Sequence, residues 1–214
     1  MKSDTADQHW SAQWKFIKTD SKWLTPEKVV QEWAASLTKG ARILDLGADV
    51  GRHALRLTAQ GFDVIALDTA PGGLAEINKT GGVKTVLARL DTLPFKYHAF
   101  DHVLSWNVTY HGDENILLRT IAEIRRVLKP GGSYIGTMLS KRRLPNEQTK
   151  YIGCEICRNS WVFDATRTDK IRPHYFCAAT DFLALFSGFK CLKFEDREHK
   201  KPKSYYWHLI MERL

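Results

Sequence analysis

The sequence predicts an α/β fold built on a doubly wound, mostly parallel sheet, because strand-like and helix-like segments alternate along the chain. The first observation is a mostly apolar run at residues 43–46 that ends in Gly47 and leads into a helical apolar pattern. The second is another mostly apolar run, residues 62–67, that is followed by Asp68. The third is a final pair of strands joined by the basic turn 200–203, which predicts a hairpin and one antiparallel strand.

Length and composition predict one large domain that buries its own core without disulfide staples. The chain has 214 residues, of which 43% are hydrophobic and 26% charged, and its net charge is +8. No apolar run approaches the ~20 residues of a membrane span, and the polar start of the chain lacks an apolar signal core. The four cysteines have no dense spacing, so we expect reduced thiols and a cytoplasmic protein. Because Lys and Arg are spread along the chain, a generally basic surface explains the charge better than a dedicated nucleic-acid site.

The N-terminal residues 1–24 are expected to form a flap on a single domain that spans residues 1–214. This segment is polar apart from three tryptophans, Trp10, Trp14 and Trp23. Trp10 and Trp14 are one helical turn apart and would share a helix face. Bare exposure of three indoles is unfavourable, which predicts that they pack over the body or over a ligand.

Turn residues and apolar periodicity delimit the remaining elements. A helix is predicted to begin with Thr25 as its N-cap, Pro26 at its first position and Glu27 in its first turn, and to end at Gly40. Further helices are predicted after Gly51, over 74–79, from Asp113 or Glu114 to 128, and from a Thr180-Asp181 cap to 186. Further strands are predicted over 83–87, 100–106, 134–139, 189–194 and 205–211. Residues 140–179 are expected to be irregular, which is typical of a functional lid or an inserted hairpin.

The glycine turn after the first strand is the predicted ligand site. It places backbone N–H groups and a helix N-terminus at the carboxyl end of a buried strand, where a carboxylate or phosphate is favoured. Asp68, at the tip of the second strand, follows Gly51 by 17 residues, and an acid about 20 residues after the glycine turn suits hydrogen bonds to a ribose diol. A nucleoside cofactor is therefore the first hypothesis.

Several motifs, in this order and at this spacing, carry a resemblance to a known family. They are the segment 45–51 (Asp-Leu-Gly-Ala-Asp-Val-Gly), Asp68, 93–95 (Leu-Pro-Phe), Phe100-Asp101 followed by 107–111, and 128–132 (Leu-Lys-Pro-Gly-Gly). Over residues 25–214 the chain resembles class I S-adenosylmethionine-dependent methyltransferases, in the small-molecule group often labelled methyltransferase type 11. The resemblance implies a Rossmann-like, seven-stranded sheet of order 3-2-1-4-5-7-6 with strand 7 antiparallel, and a lid between strand 5 and the last helix.

The same resemblance implies roles for individual residues. Residues 47–51 would wrap the methionine end of S-adenosylmethionine, and Asp68 would hold both ribose hydroxyls. Leu90 and Asp91 would border the adenine, and residues 107–111 would lie under the sulfonium and face the acceptor. The candidate cofactor-binding residues are therefore Asp45, Gly47, Ala48, Asp49, Gly51, Asp68, Thr69, Leu90, Asp91 and Asn107.

Two positions depart from the family pattern. Asp49 replaces the middle glycine of the Gly-rich loop, and Asp is among the few residues that tolerate a positive φ. Arg89 occupies the position where the family commonly has an Asp that accepts from the adenine amine. Asp91 could take that role only if the loop shifts. A non-catalytic relative that binds S-adenosylmethionine is therefore one alternative.

Methyl transfer needs in-line alignment and a dry site, and a general base only where the acceptor must lose a proton. The candidate catalytic residues are Tyr110 and His111, which follow the fourth strand, and His174 in the lid. A small-molecule acceptor is favoured. RNA or protein acceptors remain an alternative because of the net charge and the basic lid residues Arg142, Arg143, Lys150, Arg158, Arg167, Lys170 and Arg172. A nicotinamide-dependent oxidoreductase is disfavoured because the G-x-G-x-x-G fingerprint is missing.

One set of cysteines has spacing that resembles a zinc ribbon. Cys154-x-x-Cys157 and His174-x-x-Cys177 form two ligand-like pairs. The surrounding segments also resemble lid segments of the family that need no metal. We therefore assign no metal from the sequence and keep zinc at these four residues as an alternative.

Overall fold

Strands and helices alternate in the computed structural model, which describes residues 7–14, 21–165, 168–199 and 201–214. The helices in this part of the chain are α1 (Asp7–Trp14), α2 (Lys28–Ala35), α3 (Ala54–Ala59), α4 (Pro71–Thr80), α5 (Glu114–Val127), α6 (Leu144–Gln148) and α7 (Ala179–Leu185). The strands are β1 (Arg42–Leu46), β2 (Asp63–Asp68), β3 (Lys84–Leu87), β4 (Phe100–Ser105), β5 (Leu128–Ser140), β6 (Gly153–Cys157), β7 (Ser160–Phe163), β8 (His174–Cys177), β9 (Phe189–Glu198) and β10 (Tyr205–Arg213).

The main sheet has the order β3-β2-β1-β4-β5-β10-β9. Strands β1 to β5 pair in parallel, whereas β10 runs antiparallel to both β5 and β9. With β9 and β10 as the sixth and seventh strands, this confirms the predicted order 3-2-1-4-5-7-6 and the predicted terminal hairpin. The carboxyl ends of β1, β2 and β4 therefore meet at one edge of the sheet.

Helices cover both faces of this sheet. On one face, α5 places a buried stripe against β4 and β5, made of Ile116, Leu117, Ile121, Ile124 and Val127. On the other face, α2, α3 and α4 bury Val30, Trp33, Leu57 and Ile77. Because β1 is sandwiched between these layers, all of its residues except Arg42 are buried. Each fully buried Leu or Ile contributes roughly 1.5–3 kcal/mol, so the sheet centre is a rigid base for the residues at its edge.

The segment 140–179 is more regular than predicted. It contains α6, the antiparallel hairpin β6–β7, and β8, which pairs with β7 and joins β5 in parallel through Leu139 and Ser140. Since β10 occupies one edge of β5, β8 lies on the other edge, beyond the end of β4. The predicted irregular segment therefore extends the sheet at the edge where the ligand site is expected. Arg167, one of its basic residues, lies outside the described ranges.

Two predicted helix starts are wrong. Helix α2 begins at Lys28 with Glu27 as its N-cap, because the Glu27 carbonyl, not that of Thr25, accepts the first N–H groups of the helix. Helix α7 begins at Ala179, with Ala178 as N-cap. Asp181 lies in its first turn and accepts the Ala178 N–H at 2.9 Å, so it caps from inside the helix.

The N-terminal helix α1 packs on α4. Trp10 stacks on Trp14 with 5.4 Å between ring centroids, and Trp23 meets Trp14 edge-on at 5.5 Å. A Cβ at Gly72 would lie 2.8 Å from the Ser11 carbonyl oxygen, so a glycine in α4 permits this close approach. Residues 1–6 and 15–20 of the predicted flap lie outside the described part of the chain. Within that part, no helix is both long and apolar enough to span a bilayer.

Candidate functional site

A cavity of about 370 Å³ lies at the carboxyl edge of β1, β2 and β4. The cofactor-binding and catalytic candidates from the sequence that line this cavity are Gly47, Asp49, Asp68, Thr69, Leu90, Asp91, Asn107, Tyr110, His111 and His174. Three predicted cofactor-binding residues, Asp45, Ala48 and Gly51, are not part of the lining. The loops after three strands and the segment around β8 thus converge on one space.

The bend between β1 and α3 depends on Gly47. This residue has φ 77°, and a Cβ on it would lie 2.4 Å from the side chain of Val108. The N–H groups of Gly47 and Ala48 both donate to the Leu67 carbonyl, at 2.8 and 3.0 Å. The bend is therefore held against the end of β2, with the loop after β4 packed directly over it.

Asp49 adopts the left-handed backbone that its glycine-replacing position requires, with φ 51°. Asp tolerates this region better than most residues, so the departure from the Gly-rich pattern leaves the bend intact. Burial raises the pKa of Asp49 well above its ordinary value, and the nearby Asp68 raises it further. The backbone N–H of Asp49 donates to Asp68 Oδ2 at 2.9 Å.

Asp68 ties the end of β2 to the bend. Its Oδ1 accepts the Ala70 N–H at 2.8 Å, and its Oδ2 accepts the Asp49 N–H. Burial raises the pKa of Asp68, and these backbone hydrogen bonds oppose that effect. Each oxygen keeps a second lone pair, so a pair of hydroxyls in the cavity can still donate to this carboxylate.

Asp45, Asp49 and Asp68 form an acidic cluster at the bend, in which Asp45 and Asp68 are buried and Asp49 is half-buried. Arg52 opposes the charge of Asp45 and Asp49, and it pairs with Glu27 at 3.6 Å. Asp45 Oδ2 is buried and has no hydrogen-bond partner in the described structure. Burial raises the pKa of Asp45 to about 7, against the opposing charge of Arg52. Such a cluster favours a cationic ligand, and a cofactor with a sulfonium and an ammonium group fits it.

The raised pKa of Asp45 predicts a pH-dependent cost of folding. Between about pH 4 and pH 7 the folded chain keeps a proton on Asp45 that the unfolded chain has lost, so this group lowers stability as pH rises. Asn at this position does not titrate. We therefore compare the unfolding free energy of Asp45→Asn with that of the unmodified chain. We expect this difference to increase in favour of the variant by ~2–3 kcal/mol between pH 5 and pH 7.

Denaturant unfolding of both proteins, without cofactor, measures this difference. Taking the difference cancels the titration of other groups, such as His53, whose pKa burial lowers. The difference should level off above about pH 7. A difference that stays constant across this range would contradict the buried carboxylate.

Two arginines bind Asp91, the carboxylate that was predicted to border the adenine. Arg89 Nε and Nη2 donate to Asp91 at 2.9 and 3.2 Å, and Arg119 Nη2 donates to Asp91 Oδ2 at 3.0 Å. Burial acts to raise the pKa of Asp91, but these hydrogen bonds outweigh it and the pKa lies below its ordinary value. The carboxylate is thus committed to two guanidinium groups, which makes this end of the cavity different from the family pattern.

The loop after β4 turns sharply at Asn107, which has φ 63°. Thr137 of β5 holds this turn, because its hydroxyl accepts the Asn107 N–H at 2.8 Å and donates to Asn107 Oδ1 at 3.0 Å. Beyond the turn, Tyr110 and His111 face the segment that leads into β8. Burial raises the pKa of Tyr110 well above 10, so its phenol stays protonated at neutral pH and is unsuited to act as a base.

His111 and His174 lie opposite each other in an antiparallel bridge, with 4.7 Å between ring centroids. Asp169 is the third member of this group: its Oδ2 lies 3.6 Å from His111 Nδ1 and 3.3 Å from His174 Nε2. Burial, together with the neighbouring His174, lowers the pKa of His111 to about 4, so this imidazole is neutral at pH 7. Sequence reasoning missed Asp169, because no local pattern distinguishes it from the other lid carboxylates.

The zinc-ribbon alternative is not supported by the geometry. Cys154 and Cys157 are exposed on β6, whereas Cys177 is buried and its thiol contacts the Ala178 carbonyl. The metal-capable group found within the described ranges is instead His111, Asp169 and His174. His174 therefore belongs to a different cluster from the cysteines.

Comparisons with known proteins agree with this architecture. Residues 43–132 match a family described as a methyltransferase domain. An uncharacterized methyltransferase of Mycobacterium tuberculosis is 36% identical over 93 residues, which are 42% of this chain and 37% of that protein. A tRNA U34 carboxymethyltransferase of Cellvibrio japonicus is 30% identical over 137 residues, 60% of this chain and 38% of that protein. The chain thus spans under two fifths of the length of these curated relatives.

A solved S-adenosylmethionine-dependent methyltransferase of Methanosarcina mazei has the same fold. It superposes with a TM-score of 0.74 at 18% identity, and the match covers 89% of this chain and 99% of that one. The family match covers the strands that build the glycine bend and Asp68. With the strand order of the sheet, these matches support the class I S-adenosylmethionine-dependent methyltransferase fold that the sequence resemblance implies.

Proposed function

We propose that this chain transfers a methyl group from S-adenosylmethionine to a small-molecule acceptor. The observation that carries the proposal is a single cavity whose lining includes the predicted cofactor residues Gly47 and Asp68 together with His111 and His174. A cofactor held at the acidic bend would therefore share one enclosed space with an acceptor held near the histidines. Its volume of about 370 Å³ falls in the range of small-molecule sites.

S-adenosylmethionine, when bound, supplies an electrophilic methyl group on a sulfonium. The chain has to align the acceptor with that methyl group and keep water away. Trp10 and Trp23 line the cavity, and Trp10 meets the His111 ring edge-on at 6.4 Å, so the tryptophan cluster shields this end from solvent. Where the acceptor must lose a proton, the neutral imidazole of His111 is the candidate base.

The salt bridges that the basic lid residues form within the chain favour a small acceptor over RNA. Four of these cations already have carboxylate partners within the chain: Arg142 with Asp196, Arg143 and Lys170 with Glu147, and Arg158 with Asp181. A cation that is paired internally contributes less to binding phosphates, because the salt bridge must be exchanged. These four lid charges therefore act mainly within the chain.

RNA is the second candidate acceptor. The net charge of +8 and the name of the Cellvibrio japonicus relative, a tRNA U34 carboxymethyltransferase, both support it. An RNA acceptor predicts binding that weakens steeply with salt, since phosphate contacts release counterions. Absence of tRNA binding even at low salt would exclude an RNA acceptor.

Isotope transfer separates these functions. The purified chain would be incubated with methyl-tritiated S-adenosylmethionine and either a low-molecular-weight cell extract or total tRNA. Label in the small-molecule fraction supports the proposal, and label in tRNA supports the second candidate. If calorimetry shows cofactor binding but label enters neither fraction, the non-catalytic alternative is favoured.

A further inference from the structure

We infer that His111, His174 and Asp169 form a binding site for one divalent transition-metal ion at the acceptor end of the cavity. The three residues each offer one ligand atom, and these atoms all lie within 4.8 Å of one another. All three side chains also line the cavity, so an ion held there would face the bound acceptor. This site goes beyond the proposed methyl transfer, and its binding test needs neither cofactor nor acceptor.

The backbone holds the two histidines in register. The Gly112 N–H donates to the Pro173 carbonyl and the Tyr175 N–H donates to the Tyr110 carbonyl, each at 2.9 Å. These two hydrogen bonds flank the bridge between His111 and His174 and place their side chains on the same side. The ligand positions are therefore set by main-chain pairing between two segments, and not by loose side chains.

The outer nitrogen of each ring faces a backbone carbonyl. His174 Nδ1 lies 2.9 Å from the Arg172 carbonyl oxygen, and His111 Nε2 lies 3.2 Å from the Asn107 carbonyl oxygen. A carbonyl only accepts, so these nitrogens carry the protons. Metal-ligating histidines are typically oriented in this way, by donating the other ring N–H to a carbonyl or carboxylate.

The inner nitrogens then present lone pairs to a carboxylate oxygen. With a proton on the outer nitrogen of each ring, His111 Nδ1 and His174 Nε2 lie toward Asp169 Oδ2, which is an acceptor, at 3.6 and 3.3 Å. Two ring nitrogens and a carboxylate oxygen that converge in a mostly buried space form a set of donor atoms that a cation between them would stabilise. A divalent ion satisfies all three at once.

The ligand set and its spacing suit a transition metal. Two imidazoles and one carboxylate favour ions such as Zn²⁺, Co²⁺ or Fe²⁺ over Mg²⁺ and Ca²⁺, which prefer oxygen ligands. Ligand bonds of ~2.0–2.1 Å place neighbouring donor atoms on a tetrahedral ion about 3.4 Å apart. The inner-nitrogen distances to Asp169 Oδ2, 3.3 and 3.6 Å, bracket that value.

The surrounding charges permit such an ion. Two cations that line the cavity, Lys170 and Arg143, both pair with Glu147 at 2.7 Å. Three protein ligands leave coordination positions free, as in catalytic metal sites. If the proposed methyl transfer holds, an acceptor with an oxygen or nitrogen donor would bind there. The ion, acting as a Lewis acid, would then lower the pKa of that donor in place of a histidine base.

Metal titration of the full chain tests this site directly. After chelator treatment, the protein would be titrated with Co²⁺ and followed by calorimetry and by visible absorption of the bound ion. We expect one Co²⁺ per chain, displaced by Zn²⁺, with affinity falling about 100-fold in Asp169→Asn and in His111→Gln. As a matched control, Cys154→Ser/Cys157→Ser should bind Co²⁺ as tightly as the unmodified chain.

Several results would overturn the inference. They are absence of Co²⁺ binding by the unmodified chain, equal affinity in a folded Asp169→Asn variant, or loss of binding in the cysteine variant alone. Ring-nitrogen NMR covers the case in which both variants fail to fold. Zn²⁺ should shift the His111 Nδ1 and His174 Nε2 signals. Rings that stay doubly protonated when Zn²⁺ is added would show a histidine–carboxylate ion pair instead.

Discussion

Replacing Asp68 by Ala is expected to lower the affinity for S-adenosylmethionine by about 100-fold or more. The proposed role of this carboxylate is to accept hydrogen bonds from both ribose hydroxyls, and a hydrogen bond to a charged group contributes roughly 1.5–3 kcal/mol. The loss also frees the Asp49 and Ala70 N–H groups that Asp68 now accepts, which loosens the bend. Calorimetric titration of the unmodified chain and the variant measures the change in Kd.

Asp63→Ala is the matched control. Asp63 lies at the other end of the same strand, exposed, where it pairs with Arg42 at 3.4 Å. Its removal should leave cofactor affinity unchanged, so a loss confined to Asp68→Ala separates binding from general damage to β2. Unchanged affinity in a folded Asp68→Ala protein would remove the ribose role and, with it, the proposed position of the cofactor.

The second large effect is expected from Gly47→Ala. This change should both destabilise the chain and strongly weaken cofactor binding. A left-handed backbone costs a non-glycine residue roughly 1–2 kcal/mol, and forcing a methyl group into packed side chains typically costs a further ~1–3 kcal/mol. Here the new Cβ would lie 2.4 Å from both Cγ atoms of Val108, so the loop that carries Asn107 and His111 has to move.

The chain offers a control that separates the two costs. Gly61 also has a left-handed backbone, with φ 90°, but nothing lies within 4 Å of a Cβ built there. Gly61→Ala should therefore show the backbone cost alone, as a loss of unfolding free energy with unchanged cofactor affinity. Combining Gly47→Ala with Val108→Ala should recover part of the affinity, because it removes the closest contacts. If Gly47→Ala and Gly61→Ala behave alike, the packing of Val108 on the bend is unimportant.

The proposed metal site would change how acceptor chemistry is understood in this chain. Without an ion, His111 is the candidate base. With one, His111 and His174 are ligands and the acceptor is bound by the metal. The two cases differ in a simple respect, since chelation should abolish methyl transfer only in the second, while cofactor affinity stays the same in both. Comparing the two readouts tells whether the site serves the acceptor or the cofactor.

The sequence by itself determined the main sheet and the proposed cofactor end of the cavity. The reason is that these features rest on local patterns: apolar runs of strand length, the glycine bend at Gly47, an acid at the tip of β2, and the helical stripe of α5. The left-handed backbone of Asp49 could also be predicted, because Asp is one of the few residue types that tolerate a positive φ. Helix starts were harder to predict. Thr25 is a residue type that often caps helices, but in the structure Glu27 is the N-cap of α2.

Only the tertiary structure decided what surrounds the acceptor. Asp91 was expected at the adenine, but its pairing with Arg119 depends on how α5 packs beside the loop. His111, Asp169 and His174 meet because the segment after β4 pairs with the segment leading into β8, far away in sequence. This pairing could not be predicted from the sequence, because the few residues involved show no periodic pattern of apolar and polar side chains. Sequence patterns report which face of an element is buried, whereas a cluster of polar ligands arises only when distant segments are folded against each other.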